Sequence, residues 1–312
     1  MIYLSRLLKQ DELVLLDRLI HQRLVTPGEL TLEQNQYGYW EHLVDHWETV
    51  ESPFRPSTED IAIYREFLAK TGNAGPVLIL GSTPELRDLT ATAGAGRVHL
   101  ADFSYRMPLA MLRFTKHVDP LEEIWVRTNW LKLPFPPEFF GAILGDLALQ
   151  QLTPEAEPRL LTKIAKLLKP EGVFIARCQV LDETALGDDV GAIVARFRDR
   201  PLTDWQRVYF IASRLLWRFA DRANRRLNRT LAAQELTAWA NETGMTQPLL
   251  ASIHQAIIED PAAFRTWSPP EERALVALFS RYFTVVEMKR ASDYEGAAWC
   301  PIFRLRVRQS PS

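Results

Sequence analysis

The chain has 312 residues, enough for one large domain or for one domain with a substantial appendage. Its 47% hydrophobic and 24% charged residues are typical of a globular protein that folds in water. A net charge of −2 gives no overall field that would favour nucleic acid or a membrane. The two cysteines, Cys178 and Cys300, lack metal-ligand spacing and cannot form a disulfide framework. Because the first residues lack the apolar run of a signal peptide and charges interrupt every long hydrophobic stretch, we expect no transmembrane segment and a cytoplasmic location.

Helices are predicted for the N-terminal part of the chain. Leucine and isoleucine recur at helical spacing over residues 5–25, and a second helix is expected over residues 32–50. Pro53 and Pro56 then favour extended backbone and break the pattern. Thr58 is placed to cap a third helix that runs to Lys70.

From residue 76 onward, short apolar runs alternate with helical segments. The runs cover residues 76–80, 98–101, 123–126, 142–144 and 173–176, and helices are expected over 84–93, 105–116 and 156–168. Two further strands are predicted at 284–288 and 302–307. Strands that alternate with helices indicate the α/β class, with a parallel sheet covered on both faces. Such a sheet binds its ligand at the carboxyl ends of its strands.

The loop after the first strand suits a polar ligand. Gly81 allows a tight turn and close approach of the backbone, and the sequence Thr83-Pro84-Glu85 predicts a helix start with Thr83 as its cap. Exposed N–H groups at such a start can bind a carboxylate or a phosphate. An ordinary strand–turn–helix without a ligand is the alternative.

Asp102 ends the second strand, about 20 residues beyond this loop. A carboxylate at that position can accept the hydroxyl protons of a ribose, as it does in nucleotide-binding α/β folds. The alternative is that Asp102 caps the helix that begins near Ser104. Since the loop and the acid occur together at the expected separation, the ribose role is favoured.

Five segments follow one another between residues 76 and 178. They read GSTPE at 81–85, DFSYRM at 102–107, NWLKLPFP at 129–136, FGAILGD at 140–146 with LQQL at 149–152, and LLKPEGVF at 167–174. In this order they resemble the conserved segments of the class I S-adenosylmethionine-dependent methyltransferases. Five ordered segments are much more specific than any one of them.

The resemblance implies a Rossmann-like, seven-stranded, mostly parallel sheet with helices on both faces, plus an N-terminal helical extension and a helical insertion. The predicted domains are an N-terminal extension or lid at 1–57 and a cofactor-binding core at 58–182. A helical insertion that serves as a substrate cap is predicted at 183–270. A final helix and strands at 271–312 are predicted to complete the core sheet.

The resemblance also implies S-adenosylmethionine as the cofactor, bound by residues that follow the first four strands. These residues are Gly81, Ser82, Thr83, Glu85, Asp102, Phe103, Asn129, Trp130, Asp146 and Leu147. Those of the first loop would border the methionine end. Asp102 would hold the ribose, Phe103 would pack on the adenine, and Asn129 would bond the adenine amine with the backbone of the next residue beside it. Asp146 and Leu147 would lie near the reacting methyl group.

The first loop departs from the family's pattern. The family usually carries an acid two residues before the first glycine and two further glycines at alternate positions, where this chain has Ile79, Thr83 and Glu85. Glu85 could replace the missing acid near the cofactor's amino group, or it could be only a favourable first-turn charge. Glu171 replaces a glycine in the turn before the fifth strand, which is a smaller change.

Methyl transfer from a sulfonium mainly needs alignment of the nucleophile and exclusion of water. An aromatic segment over residues 37–47 is predicted to build part of the acceptor site, with Tyr37 and Trp40 as contacts. His42 is a candidate general base, and Asp146 is the second catalytic candidate. His42 and His46 share a helix face, but the sequence offers no third ligand, so no metal is predicted.

Residues 195–230 carry ten arginines against three aspartates, a net charge of +7. On one continuous helix, six of the arginines would share an arc of roughly 80°. These six are Arg207, Arg214, Arg218, Arg222, Arg225 and Arg229. The first explanation is a solvated face on a core-packed helix. The second is a lid whose Arg207, Arg214 and Arg218 bind an acidic small substrate. Nucleic acid is a third, weakened by the lack of a recognised RNA-binding module. Contact with an anionic membrane beside Phe210 and Trp217 is a fourth.

These patterns predict an S-adenosylmethionine-dependent methyltransferase. The acceptor is expected to be an O or N atom of a small molecule, which would be acidic if the arginines bind it. The first alternative is a non-catalytic protein that binds S-adenosylmethionine or a nucleotide with the same fold. The second is a nicotinamide-dependent oxidoreductase, which the lack of Gly-x-Gly-x-x-Gly after the first strand disfavours. The sequence does not specify the oligomeric state.

Overall fold

The computed structural model describes residues 47–72, 75–103, 106–244, 248–258 and 266–308, which form two compact units. Unit 1 contains the described residues up to Leu149, those of Ala156–Cys178 and those from Phe279 onward. Unit 2 contains Gln150–Glu155 and the described part of Gln179–Leu278. The four-part division expected from the sequence stays a prediction.

Unit 1 is built on one seven-stranded sheet. Its strands are β1 (Val77–Leu80), β2 (Val98–Asp102), β3 (Glu123–Arg127), β4 (Phe140–Asp146), β5 (Leu168–Arg177), β6 (Phe283–Lys289) and β7 (Ile302–Val307). Their order across the sheet is β3-β2-β1-β4-β5-β7-β6. The pairs among β1 to β5 are parallel, whereas β7 runs antiparallel to both of its neighbours. The prediction of a seven-stranded, mostly parallel sheet is confirmed, and every predicted apolar run overlaps its strand.

Apolar side chains bury the centre of this sheet on both faces. All four residues of β1 are buried, which requires cover on each side of the strand. The helices of unit 1 are α1 (Thr58–Ala69), α2 (Pro84–Thr92), α3 (Arg106–Leu112) and α4 (Glu157–Leu167). On one face, side chains of α1, α2 and α3 share a core cluster with Val77 and Ile79. Leu78, which alternates with them, is fully buried on the opposite face.

Two predicted helix boundaries of unit 1 were wrong. The cap of α1 is Ser57 rather than Thr58, because Ser57 accepts a hydrogen bond from the Asp60 backbone while the Asp60 carboxylate accepts one from the Ser57 backbone. The helix predicted over 105–116 ends at Leu112, after which the chain turns.

Unit 2 is helical where the structure describes it. Its helices are α5 (Val190–Arg198), α6 (Asp204–Arg218), α7 (Arg229–Thr243), α8 (Pro248–Ile258) and most of α9 (Glu272–Phe279). The continuous helix assumed for the six arginines is therefore wrong. After α6 the backbones of Asp221 and Arg226 bond each other in a tight turn, and Asn228 caps the next helix. Only three of the six arginines belong to α6.

The helices predicted over residues 5–25 and 32–50 lie outside the described residues, apart from the short 3₁₀ turn Trp47–Thr49 at the end of the second. In the part of the chain that the structure describes, no helix combines the length and the apolarity that crossing a membrane requires.

Candidate ligand site at the carboxyl ends of the strands

The ends of β1 and β2 bring together a hydroxyl and a carboxylate. Because the two strands are parallel neighbours, Ser82 and Asp102 lie side by side, and Ser82 Oγ donates to Asp102 Oδ2 at 2.9 Å. Both residues are buried, at 5% and 6% exposure. A carboxylate has about four acceptor positions, of which the Ser82 hydroxyl occupies one.

The turn between β1 and α2 is shaped by Gly81 and Trp130. Gly81 has a φ of +94°, a backbone conformation that residues other than glycine rarely adopt. The Trp130 indole, from the segment after β3, lies against this turn and donates to the Ala101 carbonyl at 2.7 Å. Thr83 precedes α2 as predicted, but its side chain makes no capping bond.

Glu85 stands in the first turn of α2 with one oxygen engaged. Its Oε1 is bonded by the Arg55 guanidinium. Its Oε2 is buried and accepts no hydrogen bond from the described residues. A buried carboxylate oxygen without a donor is costly. This atom is therefore a candidate acceptor for the amino group of a ligand.

Asp146, at the end of β4, forms a two-pronged ion pair with Arg177 at the end of β5. Arg177 Nε donates to Asp146 Oδ1 at 2.6 Å, and a second nitrogen donates to Oδ2 at 3.2 Å. The two side chains are 4% and 0% exposed. The register of β4 and β5 places these residues directly opposite each other, so the pair closes this end of the sheet.

Arg177 also ties helix α1 to the sheet. It donates to the Asp60 carboxylate at 2.8 Å and to the Pro53 carbonyl at 2.8 Å. Beside it, the Tyr64 hydroxyl donates to the Gly145 carbonyl and accepts from the Arg177 backbone, both at 2.8 Å. The helix, the fourth strand and the fifth strand are thus joined through buried polar groups.

The electrostatics of this cluster set the protonation of Asp146. Burial, helped by the neighbouring carboxylates of Asp60 and Glu85, raises the pKa of Asp146 to about 6 against the lowering effect of Arg177. Burial likewise raises the pKa of Asp60. The carboxylates of Asp60, Glu85 and Asp146 are paired with Arg55 and Arg177. This group of five side chains has a net charge of −1 when all of them are ionised. Such a group favours a positively charged ligand.

The other predicted cofactor residues lie after β2, β3 and β4 with local contacts. The Asn129 side chain accepts from the Leu131 backbone at 2.9 Å, and the Phe103 carbonyl accepts from Arg127 Nε at 3.0 Å. Leu147 has a φ of +49°, which is unusual for a residue with a branched side chain. Strained backbone of this kind is often found at functional sites.

The arginines predicted to bind substrate lie in unit 2 and make contacts within it. Arg207 pairs with Asp204 at 2.9 Å, and Arg218 donates to the Leu186 carbonyl at 2.5 Å. Arg214 is 1% exposed and lies 3.5 Å from Asp182. Their role in binding an acceptor stays a prediction. The membrane alternative loses its apolar contacts, since Phe210 and Trp217 are both buried.

Tyr37, Trp40, His42 and His46 lie outside the described residues, so the predicted aromatic segment and general base stay predictions. Among the residues that the structure describes, no group of three or more His, Cys, Asp or Glu side chains is arranged to hold a metal ion.

Four residues of the site escaped the sequence analysis: Arg55, Asp60, Tyr64 and Arg177. Asp60 and Tyr64 were read as ordinary positions of a helix outside the strand pattern. Arg177 follows the apolar run of β5, and Asp146 ends the strand before it. Opposite charges at the ends of two consecutive buried strands could have predicted an ion pair across the sheet.

No family model matches the chain, and no curated protein matches it. Solved structures do resemble it. A protein provisionally assigned as a Zn-dependent alcohol dehydrogenase from Rhodobacter sphaeroides superposes with a TM-score of 0.56 at 16% identity, covering 88% of this chain and 99% of its own. The N-methyltransferase NodS from Bradyrhizobium japonicum, in complex with S-adenosylhomocysteine, gives a TM-score of 0.51 at 13% identity, with 88% and 100% covered.

A third similar structure is the 1,6-didemethyltoxoflavin-N1-methyltransferase of Burkholderia thailandensis with its substrate and S-adenosylhomocysteine bound. Its TM-score is 0.51 at 15% identity, with 91% of this chain and 94% of its own covered. At such identities the similarity establishes the fold alone. The chain has the Rossmann-like fold found in class I S-adenosylmethionine-dependent methyltransferases, as the ordered segments predicted.

Proposed function

We propose that this protein is an S-adenosylmethionine-dependent methyltransferase. The observation that carries the proposal is the Ser82–Asp102 pair, buried at the carboxyl ends of adjacent parallel strands in a methyltransferase-like fold. This is where an α/β sheet binds a nucleoside, and an acid after the second strand is suited to ribose hydroxyls.

The residues present fit the cofactor. Asp102 can accept ribose hydroxyls, and the open oxygen of Glu85 can accept from the amino group in place of the acid that the family usually carries before the first glycine. The cluster of Asp60, Asp146 and Glu85 with two arginines has a net charge of −1. S-adenosylmethionine has a net charge of +1, since it combines a sulfonium, an ammonium and a carboxylate. The charges are complementary.

When bound, the cofactor supplies an activated methyl group, so the protein need only position the acceptor and exclude water. The Asp146–Arg177 ion pair fixes the end of β4, with the strained Leu147 directly after it. We assign Asp146 an electrostatic and positioning role. A role for Asp146 as the proton acceptor is disfavoured because both of its carboxylate oxygens accept hydrogen bonds from Arg177. His42 stays the candidate base.

The proposed acceptor is an O or N atom of a small molecule. An acidic acceptor would require arginines such as Arg207 to exchange their internal partners for the ligand.

The similarity to a protein assigned as an alcohol dehydrogenase raises the oxidoreductase alternative, which two observations disfavour. The turn after β1 reads Gly81-Ser82-Thr83-Pro84-Glu85, without the glycines that let a dinucleotide's pyrophosphate approach the backbone. The dinucleotide-binding fold has the strand order 3-2-1-4-5-6, whereas here the antiparallel β7 lies between β5 and β6.

A non-catalytic S-adenosylmethionine-binding protein is the second candidate, and it is favoured by the first loop, which lacks the acid and the two further glycines that the family usually carries. A turnover experiment separates the two. The full chain is incubated with methyl-labelled S-adenosylmethionine and a panel of phenols, carboxylic acids and amines. Label that moves to an acceptor, and is lost in the Asp102→Ala variant, supports the enzyme. Cofactor binding with no transfer to any acceptor supports the binding protein.

A further inference from the structure

Unit 2 presents an aromatic stack at its surface. Trp205 and Tyr209 lie four residues apart on α6, so they share a face of the helix. Their rings are parallel within 8°, with centroids 5.7 Å apart. Trp205 is 45% exposed, although tryptophan side chains are largely buried on average.

Buried rings hold this stack in place from beneath. Tyr209 packs on Phe210 with centroids 5.3 Å apart, and Phe210 stacks on Phe197 at 5.5 Å. Phe197 and Phe210 are both fully buried, and Arg214 lies over their faces at 5.4 and 5.2 Å. Trp205 is therefore joined to the core through a row of rings. Its position is fixed while much of its surface stays open, as a preorganised binding platform requires.

An amide network borders the same rings. Gln179 Nε2 donates to the Tyr209 hydroxyl at 2.8 Å, and Gln150 Nε2 donates to the Gln179 carbonyl at 3.1 Å. Gln150 Oε1 is buried and accepts no hydrogen bond from the described residues. The network thus ends in an acceptor that a ligand's O–H or N–H group would satisfy.

The two glutamines of this network come from the two segments that follow β4 and β5. Gln150 follows the end of β4 by four residues, and Gln179 follows the end of β5 by two. Both glutamines belong to unit 2, as do Trp205 and Tyr209, so the whole network lies within one unit.

We propose that the Trp205–Tyr209 stack, with Gln179 and Gln150, is a binding site for a flat aromatic molecule that carries a hydroxyl or amino group. The ring stacks on Trp205, and the polar group bonds within the amide network. That this molecule is the methyl acceptor rests on the proposed function, whereas its binding does not. The ligand proposed for this site is a phenol or an arylamine, whereas the arginines led to the expectation of an acidic acceptor.

The test uses two neutral bicyclic alcohols that differ in flatness: 2-naphthol and decahydro-2-naphthol. The full chain is labelled at its nine tryptophan indoles, and the Trp205 signal is assigned by its loss in Trp205→Phe. Titration with 2-naphthol should shift the Trp205 signal saturably, and the saturated alcohol should bind much more weakly. Trp205→Ala should raise the dissociation constant for 2-naphthol about tenfold, the loss expected for one aromatic stacking contact.

Trp239→Phe, a half-buried tryptophan of α7 in the same unit, is the matched control and should leave the dissociation constant unchanged. Tyr209→Phe keeps the ring but removes the bond to Gln179, so it should weaken binding less than Trp205→Ala. An unmoved Trp205 signal, or equal binding of the two alcohols, would overturn the site. Calorimetry with S-adenosylmethionine on the same samples tests the proposed function separately. The cofactor can bind when 2-naphthol does not, and 2-naphthol can bind when the cofactor does not.

Discussion

Units 1 and 2 both bury arginine, but with different partners. In unit 1, Arg177 donates to the carboxylates of Asp146 and Asp60 and to the Pro53 carbonyl, so it joins the end of β4 to the start of α1. In unit 2, Arg214 lies mainly against the faces of Phe197, Phe210 and Trp217, at 4.6 to 5.4 Å, with Asp182 at 3.5 Å. The first arrangement builds a charged end to the sheet, where a ligand can be held. The second stabilises a helical core, although its sequence has the stronger basic signal.

The largest effect is expected from Arg177→Met. Its loss leaves Asp60 and Asp146 buried without their cation, so the free energy of unfolding should fall by about 3–5 kcal/mol. Urea denaturation measures the change. Arg273→Met, at a side chain that is 85% exposed, should stay within about 0.5 kcal/mol of the parent chain. Equal stabilities for the two variants would contradict the account of the cluster.

Arg214→Met should destabilise the protein less, by about 2–3 kcal/mol. Asp182 keeps other donors, since Thr184 Oγ1 and Arg196 lie within 2.6 and 3.3 Å of its oxygens. If unit 2 uses this arginine only for packing, affinity for S-adenosylmethionine should not change in calorimetry of the folded variant. A large loss of cofactor affinity would show that the contrast between the two arginines is wrong.

Asp102→Ala should weaken the binding of S-adenosylmethionine by about 1–3 kcal/mol while the fold persists, because ribose hydroxyls lose their acceptor. Asp119→Ala is the control, since this exposed aspartate bonds only its own loop at the Leu121 backbone among the described contacts. Circular dichroism checks the fold of both variants. Unchanged affinity in a folded Asp102→Ala protein refutes the ribose assignment.

The smallest effect is a dependence on pH. The pKa of Asp146 is raised to about 6, so this carboxylate loses its charge as the pH falls through that value. S-adenosylmethionine, with its net positive charge, should therefore bind a few-fold more weakly at pH 5 than at pH 7.5. S-adenosylhomocysteine lacks the sulfonium and should change less. Identical profiles for the two ligands would remove Asp146 from the cofactor's surroundings.

The sheet of unit 1 was predictable because each buried parallel strand is a short apolar run with a helix after it. The seven predicted strands therefore match β1 to β7 within a few residues. The antiparallel insertion of β7 leaves no trace in the local pattern, since pairing partners are set by the tertiary fold. Asp102 could be identified because its role depends on position after a strand. Asp60 and Arg177 could not, because their contact joins residues 117 positions apart.

Unit 2 was harder to read, because its charges do not follow one helix. The +7 segment was treated as a continuous helical stripe, and the turn between Asp221 and Arg226 interrupts it. Periodicity cannot reveal that Arg214 is buried, since an arginine on an apolar face usually extends to solvent. The exposed Trp205 is the reverse case, because an aromatic residue there reads as core.

Isothermal titration calorimetry of the full chain with S-adenosylmethionine tests the central claim most directly. We expect one saturable site per chain, with affinity reduced in Asp102→Ala and retained in Asp119→Ala. Absence of binding by a folded protein, with both S-adenosylmethionine and S-adenosylhomocysteine, would contradict it.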